Sequence, residues 1–207
     1  VIHEFQAARP LLAAAGKPLD GVQIAVGEGL DAAVAERRRR AAAAPSFSTY
    51  ADLAVALAEA GAFDEADAAY LDALKRYRDV SPFPVAWVAF QRGVMWAEHA
   101  DQPDKALPLY EEAVRRLPGY VRAHVHLAEM LAERGERARA LGLLVAVVGG
   151  GDPEPAGLLA ELLAESKPEQ AAAYAAQGAA LYDVMLDKYP KAFADHGSEF
   201  FAGPGKD

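Results

Sequence analysis

The sequence predicts an all-α chain built as a solenoid of stacked helix-turn-helix units, and three observations carry that prediction. Small residues recur at Ala66, Ala106 and Ala140. Each is followed four residues later by a large side chain, Tyr70, Tyr110 or Leu144, and three later again by a compact one, Ala73, Ala113 or Val147. Upstream of each set lies a segment with residues at the i, i+3, i+4, i+7 spacing of one helix face. These are Tyr50, Leu53, Ala54 and Leu57 in the first unit, Phe90, Gly93, Val94 and Ala97 in the second, and His124, Leu127, Ala128 and Leu131 in the third.

The small residues are 34 positions apart from Ala106 to Ala140 and 40 apart from Ala66 to Ala106. The proline-bearing stretch RDVSPFP before Val85 is expected to hold the six extra residues. A unit of this length cannot bury its own apolar face, and stacking its neighbours makes a continuous core. Gly61 and Gly135 stand at the turns, with Asp101 in the corresponding place of the second unit, and Pro118 closes that unit. On these residues the chain resembles the tetratricopeptide repeat family over about residues 47 to 153. Asp101, in place of a turn glycine, and Leu144, in place of an aromatic, depart from its pattern. The resemblance implies a right-handed α-α solenoid whose first helices line a concave groove.

The organisation read from these signals is an N-terminal segment with a degenerate half-repeat (1–45), three repeat units (46–153), and a degenerate fourth helix pair with the start of a fifth unit (154–207). Leu30 to Ala44 reads as the second helix of a worn repeat ended by Pro45. An apolar helical fragment surrounds Phe5 to Ala15, and PLDGVQIAVGEG after it stays unassigned. A short helix is expected around Gly157 to Glu165 and a longer one from Pro168 to Tyr189, stopped by Pro190. KAFADHGSEFF then has the look of a first helix whose Phe193, Phe200 and Phe201 need cover, since burying each is worth about 1.5 to 3 kcal/mol. That cover is expected from a continuation of the natural chain, from the preceding helix or from a second copy. This tail resembles those of uncharacterised bacterial repeat proteins. Val1 in place of methionine points to a missing leader, tag or disordered start.

At 207 residues and 53% hydrophobic content the chain can bury a substantial core. No window approaches the run of about 18 apolar residues that a membrane span needs, so no membrane span is expected. The absence of cysteine removes disulfides, thiolate nucleophiles and thiolate metal sites, and leaves the redox compartment open. The cytoplasm is favoured, with the periplasm open if a leader has been removed. Thirty acidic against 21 basic residues give a formal charge of −9, a field that repels nucleic acid. The basic run Arg37 to Arg40 sits in the last turn of a short helix, where cations suit the helix dipole.

In a stacked array the first helices present their free face to the groove. Turning about 100° per residue from the core stripe selects Ser48, Asp52, Val55 and Glu59 from the first unit. The same turn selects Val88, Arg92, Met95 and His99 from the second, and Arg122, His126, Glu129 and Glu133 from the third. Such a row suits an extended or helical peptide with an apolar anchor. The partner expected is therefore another protein or peptide, with a second copy of the chain also open. The plainer reading is that these charges pair between neighbouring helices and solvate the groove. The segment from Val85 to Trp96 is apolar almost all round and needs cover on its groove side from the N-terminal segment, a second subunit or the ligand. Trp87 and Phe90 are assigned to the core and Met95 to contact. Repeat domains that grip the carboxylate tails of heat-shock chaperones use lysines and asparagines, and this chain contains no asparagine.

Catalysis finds little support. His126 with Glu129 and His196 with Glu199 share an i, i+3 spacing and are the candidate metal ligands. Their helices are expected about 16 to 20 Å apart, at twice an ordinary packing distance, so no shared metal and no cofactor is expected. Ser46, Ser48, Ser81, Ser166 and Ser198 fall in turns or at helix starts, where hydroxyls cap the backbone. The GEG and GGGDP stretches lack the lysine and strand context of a phosphate loop. The function expected is a protein- or peptide-binding scaffold without enzymatic activity. The alternative is a small-molecule or metal-binding module on the same solenoid, with or without enzymatic activity, which a closed pocket beneath Arg92, Met95, His126 and Glu129 would mark.

Overall fold

A computed structural model describes residues 29–206, and every described element is helical. The fragment around Phe5 to Ala15 and the stretch that follows it lie outside the described residues. The described chain runs α1 (Leu30–Ala43), α2 (Phe47–Glu59), α3 (Phe63–Arg76), α4 (Phe83–Val94) continued by a π-helical turn (Met95–His99), α5 (Pro103–Arg116), α6 (Val121–Glu133), α7 (Arg137–Val145), α8 (Glu154–Leu163), α9 (Pro168–Lys188) and α10 (Pro190–Ala202). No helix among them is long and apolar enough to cross a membrane. The chain divides into two compact units, one ending at Leu109 and the other beginning at Tyr110.

Within the first unit α2 packs against both α1 and α3. Ser46 starts α2 with a reciprocal cap, its Oγ accepting from the Thr49 amide at 3.2 Å while the Ser46 amide donates to Thr49 Oγ1 at 3.0 Å. Within the second unit α6 packs on α7, α8 on α9, and α9 on α10, with α8 also against α6 and α7.

The nine residues that mark the repeat, from Ala66, Tyr70 and Ala73 to Ala140, Leu144 and Val147, are all buried, and Ala66, Ala106 and Ala140 are 0% exposed. The turns also repeat. Gly61 and Gly135 adopt φ of 77° and 80°, and Asp101 takes the same left-handed region at 52°. Aspartate is one of the few residues that tolerate it, which explains how the second unit dispenses with glycine there.

The register of the second repeat differs from the one its sequence suggests. First helices begin at Phe47, Phe83 and Val121, which is 36 and then 38 residues apart. Only two of the six extra residues therefore lie in the loop before α4, and four lengthen the first helix through the π-helical turn, where the Ala100 amide bonds Met95 O at 3.0 Å. The buried stripe is Ala86, Ala89, Phe90 and Gly93, while Val94 and Ala97 are only half-buried. The two registers differ by four residues, a rotation of about 40°, so a stripe of mostly apolar residues fits both.

At the far end Phe200 is 5% exposed, Phe193 half-buried and Phe201 36% exposed. The Phe200 ring lies 4.9 Å from the Tyr182 ring of α9 and occupies space left open by glycines on three sides. A Cβ on Gly178 would come within 2.9 Å of it, one on Gly157 within 3.1 Å, and one on Gly205 would collide with it outright. Cover for Phe200 thus comes from the preceding helices and from the chain folding back after α10.

Two stability outcomes are expected. Ala66→Leu, placing three more heavy atoms at a fully buried helix contact, should destabilise by about 1 to 3 kcal/mol in thermal or urea melts. An unchanged melt would mean that the small residue is not what permits the contact. Phe200→Ala should cost about 3 to 5 kcal/mol, because it empties a site lined by glycines that cannot refill it. A loss below about 1 kcal/mol would show that the ring is not anchored there.

Candidate functional site

In the first unit the row on α2 faces out, with Ser48, Asp52, Val55 and Glu59 all exposed. Asp52 Oδ2 meets Arg37 of α1 at 3.5 Å. On α4 the expected row does not form. Val88 and Met95 are 0% and 1% exposed, so neither offers a contact surface. An α-helix without a polar face is buried on every side, and exposing these two side chains would cost about 1.5 to 3 kcal/mol each.

Arg92 is turned toward α3. Its Nε donates to Asp67 Oδ1 at 2.7 Å and its Nη2 to Oδ2 at 3.0 Å, and Trp96 Nε1 adds a bond to Oδ1 at 3.1 Å. This fork, with both side chains about four-fifths buried, ties the first helix of one repeat to the second helix of the repeat before it. His99 stays exposed at the end of the π-helical turn. The basic run is fully engaged as well. Arg37 pairs with Asp52, Arg38 with Glu65, and Arg39 and Arg40 with Glu36. The Arg40 guanidinium, with Arg39 adding to it, holds the Glu36 carboxyl below the usual carboxylate range against the effect of burial.

In the second unit Arg122, Glu129 and Glu133 of α6 are exposed and His126 is half-buried, its ring stacked at 5.6 Å on Tyr110. His124 lies in the core at 3% exposure, with Nδ1 3.0 Å from the Tyr120 carbonyl. His126 and Glu129 open onto a cavity of about 270 Å³. Opposite them α8 contributes Glu154, Leu158 and Glu161, and α10 contributes His196 and Glu199. The buried Tyr182 and Phe200 also line it.

The two His–Glu pairs identified by spacing thus line one cavity, with α8 carboxylates among them. Among the described residues no three histidines or carboxylates are close enough to hold a metal ion. His196 Nδ1 lies 3.6 Å from Glu154 Oε1, an ion-pair distance beyond hydrogen-bond range. Ser198, beside them in sequence, donates to its own helix at Asp195 O over 2.7 Å, so its hydroxyl is not aligned with a base.

Four glutamates and two histidines are among the residues that line the cavity. Burial, and then Asp152, push the Glu154 carboxyl above its ordinary range, with His196 and Arg122 pulling the other way. The Tyr182 hydroxyl is pushed up by burial and then by Glu154, Asp152 and Glu199.

Glu154, Leu158 and Glu161 are not among the residues that the sequence reading selects, although the signal is present. Ala156, Leu159, Ala160 and Leu163 repeat the buried stripe of α6, and the offsets that give Arg122, His126 and Glu129 there give Glu154, Leu158 and Glu161 here.

Residues 97–162 match the family profile described as Tetratricopeptide repeat. No curated protein matches the chain by sequence. Solved structures do match in fold. MamA superimposes with a TM-score of 0.63 at 14% identity, over 82% of this chain and 99% of that one. TTC0263, a thermophilic TPR protein of Thermus thermophilus, gives 0.55 at 21% identity over 88% and 95%. YrrB, described as a TPR protein with an unusual peptide-binding site, gives 0.54 at 18% identity over 86% and 88%. These likenesses show the fold, an all-α helical-repeat solenoid, and residues 97–162 of it match the tetratricopeptide-repeat profile.

Proposed function

We infer that the chain is a scaffold that holds another protein or peptide along the first helices of its repeats. The observation that carries this reading is a row at fixed offsets from the buried stripe that stays outside the core. On α2 it is Ser48, Asp52, Val55 and Glu59; on α6 it is Arg122, His126, Glu129 and Glu133; on α8 it begins with Glu154, Leu158 and Glu161. The other faces of these helices are taken up by packing, so the row is where each can meet a partner. Support also comes from YrrB, whose description names a peptide-binding site on the same fold.

Ser198, the serine beside His196 in sequence, is bonded into its own helix and offers no nucleophile aligned with that histidine. At the cavity of α6, α8 and α10 the small-molecule alternative is weakened by size, since about 270 Å³ falls below the roughly 300 to 1,000 Å³ typical of sites for such ligands.

Photo-crosslinking tests the reading. A benzophenone amino acid placed at Val55, Glu133 or Glu161 should yield cross-linked partner in cells of the source organism, and one placed at the exposed second-helix positions Lys75 or Arg115 should not. A product of twice the chain's mass would make a second copy the partner. Equal cross-linking from both sets, or none from either, contradicts the assignment.

A further inference from the structure

The row along the first helices changes character in the middle repeat. Counted from the starts at Phe47, Phe83 and Val121, one offset holds Asp52, Val88 and His126, and another holds Glu59, Met95 and Glu133. Glu59 and Glu133 are exposed, as is Asp52, and His126 is half-buried. Val88 and Met95, at the same offsets on α4, are 0% and 1% exposed. Gln91 is half-buried at the offset where Val55 and Glu129 are exposed. A face that packing leaves free on α2 and α6 is therefore apolar and covered on α4. The Arg92–Asp67 fork ties α4 to α3 through a different face and leaves this one to another occupant.

The chain ahead of α1, which lies outside the described residues, has the composition and the length for that place. It carries Phe5, Leu11 and Leu12 among alanines, and from Phe5 to Leu19 its only charges are Arg9 and Lys17. Apolar side chains match Val88 and Met95, and the two cations match the exposed carboxylates Asp52 and Glu59 in the row of α2. Seventeen residues separate Leu12 from Gly29 at the start of α1, a reach of up to about 56 Å. In the described unit α1 packs on α2, α2 on α3 and α3 on α4. Three such steps of about 8 to 10 Å each fall well inside that reach.

We propose that the segment from Phe5 to Ala15 occupies the row face of α4 in the same chain, as an internal competitor for any partner that would bind there. A tethered segment acts at an effective concentration on the order of millimolar, so a partner must bring apolar side chains that bind Val88 and Met95 more tightly. This goes beyond the scaffold reading, whose row on α2, α6 and α8 leaves α4 out. The two fail separately, because cross-linking from Val55 or Glu133 does not depend on what covers Met95.

The test uses the full chain, which has three methionines and no cysteine. Methionine oxidation by hydrogen peroxide, read by mass spectrometry, reports the exposure of each sulfur. Met95 should oxidise at least tenfold more slowly than the half-buried Met185. Phe5→Asp with Leu12→Asp should speed Met95 at least tenfold, with Met130 and the helical circular dichroism unchanged, and a synthetic peptide of residues 5–17 should restore the protection. In a second arm, Leu12→Cys with Gln91→Cys should close an intramolecular disulfide at least tenfold faster than Leu12→Cys with Leu71→Cys, a position exposed on α3. Met95 still protected in the folded aspartate variant, or a disulfide no faster than that control, overturns the proposal. A disulfide-linked dimer, or protection lost on hundredfold dilution, makes the occupant a second copy and overturns it as well. If the aspartate variant loses its helical signal, the disulfide arm decides alone.

Discussion

Everything in this chain depends on how closely the two helices of each repeat approach. Two helices can pack tightly only where one side chain is small, and the repeat meets that demand with an alanine at 0% exposure at the same place in three successive second helices. The other regularities follow. Tyr70, Tyr110 and Leu144, one helical turn on, fill the space beside the close approach, and the first helix must turn an apolar stripe inward to meet it. Once that face is committed, the opposite face of α2 and of α6 is left to solvent or to a partner. The outward-facing row is therefore a geometric by-product of the alanines.

The last helix satisfies the same demand in reverse. Gly157 and Gly178 remove even the methyl group, and the Phe200 ring of α10 enters from a third helix to fill the gap, stacking on Tyr182. A ring seated among glycines fixes where α10 lies relative to α8 and α9, and that placement brings His196 and Glu199 to the rim of the cavity. The aromatic contact that closes the solenoid end also makes the pocket floor. Its apolar character is thus structural, while its acidic rim is what distinguishes it from ordinary repeat packing.

How much is legible in the sequence varies with the uniqueness of the pattern. The alanine spacing is unambiguous because a small residue followed by a large one at four and a compact one at seven rarely recurs by chance, and all nine of those positions are buried. The second repeat misleads because its first helix is apolar nearly all round, so a stripe displaced by four residues fits almost as well. Nothing local in MWAEH announces a π-helical turn, and spacing alone assigns the four residues it accommodates to a loop instead. The same displacement puts Arg92 in the groove, and its partner Asp67 lies 25 residues earlier on another helix, a pairing that periodicity does not reveal. The cavity residues on α8 follow the rule used for α6, but the degenerate fourth repeat lacks the alanine-aromatic signature that would prompt its application there.

A repeat fixes where a side chain stands and leaves free which side chain stands there, and that division is what makes the second unit informative. At one offset of the row α2 carries Val55, α6 Glu129 and α8 Glu161. The backbone logic is the same in all three, so the accumulation of carboxylates over α6, α8 and α10 owes nothing to packing. Acids on an exposed face ordinarily find cations on a neighbouring helix, as Glu111 does with Arg139 at 3.0 Å, or along their own, as Glu112 does with Arg115 and Arg116. At the cavity Glu154 is held where burial opposes its charge. Proteins keep such locally unfavourable arrangements where something other than the fold stabilises them. The contrast with the well-paired surfaces elsewhere in the same unit sets this face apart from them.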